Sequence, residues 1–112
     1  MNKRECGRIQ EQKAEEFLKS LGYEILAHNF YTHFGELDFV AKDSEVLVFV
    51  EVKYRENTKL GYPSEAVDFR KQQRIRKSAE YYLLRHGSMD CACRFDVVAI
   101  LGENITHIKN AF

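Results

Sequence analysis

Two apolar segments separated by a short polar turn constrain this chain more than any other feature. Residues 35–41 form the first segment, and residues 45–53, rich in valine and phenylalanine, form the second. Apolar runs of this length, broken by Lys42-Asp43-Ser44, are typical of the two strands and the turn of a β-hairpin. The sequence therefore predicts a hairpin whose faces are both largely apolar.

Three charged side chains, Asp38, Glu51 and Lys53, lie inside these apolar segments. A buried charge is costly unless it is paired, so such groups in an apolar strand indicate ion pairing or a bound ion. Because side chains alternate along a strand, Glu51 and Lys53 share one face. With a turn of two or four residues, we expect Asp38 to lie opposite residue 49, on that same face and diagonally about 7–8 Å from Glu51.

Two carboxylates at this spacing can hold one hard cation, since carboxylate oxygens suit Mg²⁺. A turn of three residues would instead place Asp38 on the opposite face of the hairpin and remove the site. The alternative is a solvent-exposed hairpin face that carries ordinary charges. It fits the sequence less well, because Val46 to Val50 leave neither face of the second strand polar.

Composition narrows the class of protein. The 112 residues predict one domain, residues 1–112, with a core that needs no disulfides. The net charge is 0, so a surface for nucleic acid must come from local clustering of basic side chains.

Three cysteines argue against a disulfide framework and for a reducing compartment. Without an apolar leader or a membrane-length apolar run, we expect a cytoplasmic protein with no membrane partner.

A first helix is predicted over residues 8–21, ended by Gly22. Its apolar stripe consists of Ala14, Phe17, Leu18 and Leu21. Glu11 lies on or beside this stripe, so its carboxylate can face the interior and serve as a third metal ligand. The alternative is a glutamate in the first turn that only interacts with the helix dipole.

A second helix is predicted over residues 70–86, after a polar loop at 55–63, with Ser64 as a possible helix cap and a break near 68–70. Its inner stripe consists of Ile75, Ala79, Tyr82 and Leu83. It also carries five bases within eight residues, namely Arg70, Lys71, Arg74, Arg76 and Lys77. Such a patch can contact phosphates, although a solvated helix face is the alternative.

The remaining segments complete one mixed sheet. Strands are predicted at 23–28, 94–101 and 105–109, with a connector at 29–34 and a turn region at 87–93. Asp96 interrupts an apolar strand and is a weak site candidate; pairing with Arg94 is the alternative. The predicted fold is α/β, with a central mixed sheet of about five strands flanked by helices on both sides, and with a parallel, right-handed βαβ crossover from residue 45 to 95.

The motifs resemble a known family. One pattern resembles the PD-(D/E)xK signature of the restriction-endonuclease-like superfamily. It consists of Asp38, twelve further residues and then Glu51-Val52-Lys53. Five segments resemble the YraN family of small bacterial proteins, and the resemblance extends over almost the whole chain. These segments are residues 35–38, 48–55, 61–67, 94–100 and 107–112. That family is described as predicted endonucleases distantly similar to archaeal Holliday-junction resolvases. The chain departs from the pattern at Gln10, usually glycine, at Tyr31, usually arginine, and at Leu37, the superfamily's proline.

The resemblance implies a restriction-endonuclease-like fold and a catalytic site of Asp38, Glu51 and Lys53. Glu11 matches the helix glutamate that completes the site in related resolvases. The implied reaction is hydrolysis of phosphodiester bonds in DNA, including branched or structured DNA. Asp38, Glu51, Glu11 and the backbone carbonyl of Val52 would hold Mg²⁺ or Mn²⁺. The expected contacts to nucleic acid come from Arg55, Arg70, Lys71, Arg74 and Lys77.

Two further possibilities stay open at the level of the sequence. The chain can keep the nuclease fold as a binding or interaction module without turnover, which its neutral overall charge favours. Alternatively, cleavage can require a homodimer or a partner protein, because chemistry on two strands calls for two sites related by a two-fold axis.

Overall fold

The computed structural model of the protein describes residues 2–86 and 91–112. Seven main elements follow one another in the predicted order of helix, three strands, helix and two strands. They are α1 (Lys3–Ser20), β1 (Glu24–Thr32), β2 (Gly35–Asp43), β3 (Val46–Arg55), α2 (Phe69–Arg85), β4 (Cys93–Leu101) and β5 (Asn104–Ile108). A short 3-10 helix, Pro63–Ala66, precedes α2.

The five strands form one sheet in the order β1-β2-β3-β4-β5. Strands β3 and β4 are parallel, and the other neighbours are antiparallel. The parallel pair is joined through α2, because parallel strands need a long crossover connection. This confirms the predicted α/β class and mixed sheet, and the architecture is consistent with a restriction-endonuclease-like fold.

The helices cover opposite faces of the sheet, as the apolar strands predicted. Ala14 and Leu18 of α1 pack with Val48 and Val98 in one buried cluster. The predicted inner stripe of α2 packs in the other cluster, together with Phe49 of β3. The four residues of that stripe, Ile75, Ala79, Tyr82 and Leu83, are all buried. No helix in residues 2–86 and 91–112 is long and apolar enough to cross a membrane.

The first helix differs from the prediction at both ends. It begins at Lys3 rather than residue 8, because the Asn2 side chain accepts a hydrogen bond from the Glu5 backbone N–H at 2.9 Å and caps it. Leu21, expected in the buried stripe, is the C-terminal cap and is 46% exposed. That expectation was wrong because the helix ends one residue earlier, at Ser20.

Two other boundaries needed correction. The connector expected at 29–34 is mostly strand, because residues 30–32 pair with residues 35–37, which leaves only His33-Phe34 as a turn. Ser64, the expected cap of a helix before the break, instead lies inside the 3-10 helix Pro63–Ala66. Asp68 caps α2, and its carboxylate accepts a hydrogen bond from the Lys71 N–H at 2.9 Å. The break near 68–70 is confirmed. Residues 87–90 of the predicted turn region lie outside the described residues.

Asp96 belongs to a buried polar network that ties β4 to the C-terminal segment. Its carboxylate accepts hydrogen bonds from Arg94 Nε at 3.0 Å and from the Asn110 N–H at 3.0 Å. His107 Nε2 lies 2.7 Å from its other oxygen. The predicted pairing with Arg94 therefore accounts for Asp96, whose side chain is fully buried.

Candidate active site

The turn of the β2–β3 hairpin sets the geometry of the acids. Its two turn residues are Ser44-Glu45, and the first has a φ of 54°, as tight hairpin turns require. Val40, not residue 38, lies opposite Phe49, so the expected register was wrong by two residues. Continued by one pair, the observed register brings Asp38 directly opposite Glu51. Asp38 and Glu51 still lie on the same face of the hairpin, because a shift of two residues preserves the alternation of side chains.

The two strands separate at the site itself. The β2–β3 pairing ends at Phe39 and Val50, whereas β3 continues along β4 for five more residues, to Arg55. Within the fork, Asp38 Oδ2 accepts a hydrogen bond from the backbone N–H of Val52 at 2.8 Å. The Asp38 carboxylate therefore takes the place of a backbone carbonyl from β2 as the acceptor for this N–H. It is fixed at the point where the β2–β3 pairing ends.

The pKa of Asp38 is strongly raised. Burial is the largest cause that raises its pKa, from 3.8 to about 9, and the negative charge of Glu51 adds to it. The Val52 N–H acts in the opposite direction but is outweighed. Without a cation, burial beside Glu51 therefore favours the protonated form of Asp38. A half-buried carboxyl with a raised pKa beside a second acid is typical of functional sites.

Glu51 lies at the centre of the site and is 4% exposed. Two lysines approach its Oε2 atom, Lys71 Nζ at 3.2 Å and Lys53 Nζ at 3.7 Å. Lys53 comes from the same strand, while Lys71 comes from the first turn of α2. The sequence indicated Lys71 only as a contact to nucleic acid. The structure instead places it nearer to the buried acid than Lys53.

Asp38 also belongs to a group of three acids on the side of the pocket nearest α1. Ligand oxygens of Glu11, Glu36 and Asp38 lie within 4.8 Å of one another, and the cluster can hold a metal ion. The amide Nδ2 of Asn29 donates to both oxygens of Glu11, at 3.3 and 3.2 Å, and to Glu36 Oε1. Asn29 has a φ of 52°, a conformation that asparagine tolerates better than most residues.

Glu36 and Asn29 are the site residues that sequence reasoning missed. Alternation along β2 offered a signal for Glu36, because positions 36 and 38 fall on the same face of a regular strand. No comparable signal pointed to Asn29, since it lay in the segment predicted to be a connector. Glu11, in contrast, was a candidate, and the structure brings its carboxylate next to Asp38.

An open pocket unites these groups between α1, the diverging strands and the start of α2. It is lined by the acids together with Val52, Lys53, Arg55 and Lys71. Three of the predicted bases lie elsewhere, in a groove along α2 formed by Phe69, Arg70, Gln73, Arg74 and Lys77. Arg76 points to neither place, because its guanidinium stacks over the Phe95 and Phe112 rings, 4.9 and 5.5 Å from their centroids.

The sequence model of uncharacterised protein family UPF0102 matches residues 10–100. A UPF0102 protein of Caldicellulosiruptor saccharolyticus is 48% identical over 118 aligned residues, which cover 100% of both chains. The chain belongs to family UPF0102. The UPF0102 protein of Lachnoclostridium phytofermentans is 49% identical over 113 residues, covering 100% of this chain and 96% of the relative.

A more distant UPF0102 protein, from Clostridioides difficile, is 41% identical over 114 residues and is also covered in full. UPF0102 membership confirms the resemblance to the YraN family, whose members are predicted endonucleases. The names of these UPF0102 relatives state no reaction, so the chemistry rests on the site described above.

Proposed function

We propose that this UPF0102 protein is a metal-dependent nuclease that hydrolyses phosphodiester bonds in DNA, including branched or structured DNA. One observation carries the proposal: Asp38 and Glu51 meet in an open pocket, and two lysines face the same buried carboxylate. Carboxylates beside amines in a pocket open to solvent suit the handling of a cation and a phosphate.

The residues of the pocket fit a hard divalent cation, because the donors are all oxygen atoms. Asp38 and Glu51, with Glu11 and the backbone carbonyl of Val52, would hold Mg²⁺ or Mn²⁺. The bound ion supplies charge stabilisation and a more acidic water at neutral pH. Lys53 would orient the attacking water or contact the phosphate, since its Nζ already lies 3.7 Å from Glu51.

DNA would approach along the start of α2. Arg55 and Lys71 line the pocket and would contact the phosphates nearest the reaction. The groove beside it carries three further cations, Arg70, Arg74 and Lys77, and no acid. Phe69, 73% exposed, lies among them and offers a surface on which an unpaired base can stack. Unpaired bases occur in flaps and at branch points, which supports structured DNA as the substrate.

Cleavage of both strands at a branch would need two sites. We propose that a homodimer or a partner protein supplies the second site, because a two-fold assembly presents two equivalent pockets to a symmetric branch. Analytical ultracentrifugation with and without branched DNA would test this directly. A monomer on the DNA that cuts both strands in one binding event would contradict it.

The decisive experiment is a Mg²⁺-dependent cleavage assay on branched, flapped, single-stranded and duplex DNA. Wild type would be compared with Asp38→Ala, Glu51→Gln and Lys53→Ala, each checked for folding by circular dichroism. We expect these variants to lose cleavage by at least about 100-fold. Glu16→Gln, an exposed acid on α1, is the matched control. Equal cleavage by wild type and Asp38→Ala would end the proposal.

A non-catalytic module that binds nucleic acid or a protein is the second candidate. Two lysines already neutralise Glu51 without a metal, and the net charge of the chain is 0. Calorimetric titration with Mn²⁺ separates the two candidates. Absence of Mn²⁺ binding, together with DNA binding that needs no divalent ion, would favour the module.

A further inference from the structure

We propose that Leu60 is a wedge that inserts between stacked bases where a DNA duplex meets a branch or a flap. Leu60 lies in the β3 loop, residues 56–62, which joins β3 to the 3-10 helix. This inference rests on the proposed function, because it names the part of the chain that would distinguish branched DNA from linear duplex.

The Leu60 side chain is held out into solvent by a loop with its own hydrogen bonds. It is 83% exposed, the highest value among the large apolar side chains of the described residues. The Gly61 N–H donates to the Thr58 carbonyl at 3.0 Å, and the Lys59 N–H donates to Asn57 Oδ1 at 3.0 Å. Gly61 has a φ of 99°, which glycine adopts without strain. Because these turns fix the backbone in advance, Leu60 loses little conformational freedom when it is inserted.

The β3 loop borders the candidate active site. One side of it forms a groove that shares two lining residues, Tyr54 and Arg55, with the pocket of Glu51. The groove is lined by Tyr54, Arg55, Glu56, Asn57, Lys59 and Leu60. A DNA strand that has a phosphate in the pocket and leaves on this side therefore passes over the β3 loop.

Arg55 offers an unused donor at the boundary between the pocket and this groove. Its Nε atom is buried and has no hydrogen-bond partner within the described residues. A buried donor left unsatisfied is unfavourable, and phosphate is an acceptor that a guanidinium binds through two N–H groups. With Lys59, Arg55 also outnumbers the single acid of the groove, Glu56. The charge of the groove therefore suits a phosphate backbone.

The size of the apolar surface favours a base step over a protein partner. Leu60 and Tyr62 are the only large exposed apolar residues of the β3 loop. A stable protein interface buries about 800 Å² on each partner around an apolar centre, which two side chains cannot supply. Proteins that bend or open DNA, in contrast, insert single side chains such as leucine between bases. Insertion costs least where stacking is already interrupted, so we expect it at the branch point.

The fluorescence of 2-aminopurine, which rises when the base loses its stacking, tests the wedge. The base would be placed beside the branch point of a flapped duplex, or in the middle of one arm, with Ca²⁺ present so that the DNA is bound but not cut. We expect wild type to raise the fluorescence at the branch point only. In Leu60→Gln, which has nearly the same volume but is polar, the rise should disappear. Affinity for flapped DNA should fall by about tenfold.

Two further variants serve as controls, each checked for folding by circular dichroism. Leu60→Met should retain the rise in fluorescence, because its side chain stays apolar. Leu84→Gln, which alters an apolar residue of α2 that is 66% exposed, should behave as wild type. With Mg²⁺, Leu60→Gln should cleave flapped DNA with a kcat/KM about tenfold lower. It should cleave single-stranded DNA as wild type does, because a single strand has no base pairs to open.

The outcomes separate the wedge from the proposed nuclease. Cleavage of flapped DNA by wild type without a rise in fluorescence, or an unchanged rise in Leu60→Gln, would overturn the wedge and leave the nuclease proposal standing. Equal loss of affinity for flapped and linear DNA in Leu60→Gln would also overturn the wedge. A rise that requires Leu60, in a protein that cuts no DNA, would support the wedge and contradict the nuclease. Absence of DNA binding by wild type would overturn both.

Discussion

The carboxylate of Asp38 accepts a hydrogen bond from the Val52 backbone N–H at 2.8 Å, in the fork where β2 and β3 separate. This contact fixes a half-buried acid across from Glu51, which lies on the same strand as Lys53. The position of the Asp38 carboxylate is therefore set by the sheet and not by a flexible loop. Rigid strands hold a site more precisely than loops do, which suits a group that must bind a cation.

Asp38→Asn should stabilise the metal-free protein at neutral pH. The pKa of Asp38 is raised from 3.8 to about 9, so between these values the folded state holds a proton that the unfolded state releases. The stabilising contribution of that proton is therefore complete below pH 3.8 and declines as the pH rises towards about 9. Asparagine keeps the acceptor for the Val52 N–H and removes the titration. We expect a gain of about 1–3 kcal/mol in the free energy of unfolding at about pH 8.

Urea unfolding of wild type and Asp38→Asn across this pH range, in the presence of a chelator, measures the effect. The two curves should converge at acid pH and diverge as the pH rises. Adding Mn²⁺ should restore wild type at alkaline pH and leave Asp38→Asn nearly unchanged, because a bound cation replaces the proton. Parallel curves would show that Asp38 titrates normally.

Lys71→Met should destabilise the folded protein. Lys71 Nζ lies 3.2 Å from Glu51 Oε2, and its loss leaves Lys53 as the one remaining basic partner of this buried carboxylate among the described residues. Because the Lys71 side chain is 34% exposed, solvent screening keeps the cost small, about 1 kcal/mol in the free energy of unfolding. Thermal denaturation measures it. Lys19→Met, which breaks an exposed pair with Glu15, should change stability by no more than about 0.5 kcal/mol.

Phe69→Ala should lower affinity for DNA that contains unpaired bases and leave duplex binding nearly unchanged. An aromatic ring that stacks one base contributes about 1–3 kcal/mol, or roughly a 5- to 150-fold change in affinity. Fluorescence anisotropy with Ca²⁺ in place of Mg²⁺ would measure binding without turnover. Phe69→Trp should retain the preference, and Leu84→Ala, another exposed apolar residue of α2, should have no effect. An equal loss for duplex and flapped DNA would argue against stacking.

Asn29→Gly should produce a protein whose stability depends on metal. Glycine adopts the observed φ of 52° without strain, so the substitution removes the amide between Glu11 and Glu36, together with the exposed contact of its oxygen with His28 Nδ1 at 3.0 Å. We expect the metal-free protein to lose about 1–2 kcal/mol and to recover most of it with Mn²⁺. Differential scanning calorimetry measures both states. A loss that Mn²⁺ does not reverse would indicate a purely structural role for Asn29.

Local patterns were enough to predict most of the fold. Two apolar runs separated by a polar turn predicted β2 and β3, and the stripe from Ile75 to Leu83 predicted the buried face of α2. These predictions held because the burial of a strand or a helix face depends on residues close together in the chain. The boundaries that failed, at α1 and β1, depended on a cap at Asn2 and on strand pairing that the spacing of apolar residues does not encode.

Sequence by itself determined that Glu51 and Lys53 lie on one face of a strand, and it predicted that Asp38 shares this face if the hairpin turn has an even number of residues. Tertiary structure alone decided the rest. A turn at Ser44-Glu45 set the register, and chain segments far apart in sequence brought Lys71 to Glu51. The same long-range folding brought Glu11, Glu36 and Asn29 together. Such contacts depend on how helices cross the sheet, which no local pattern specifies.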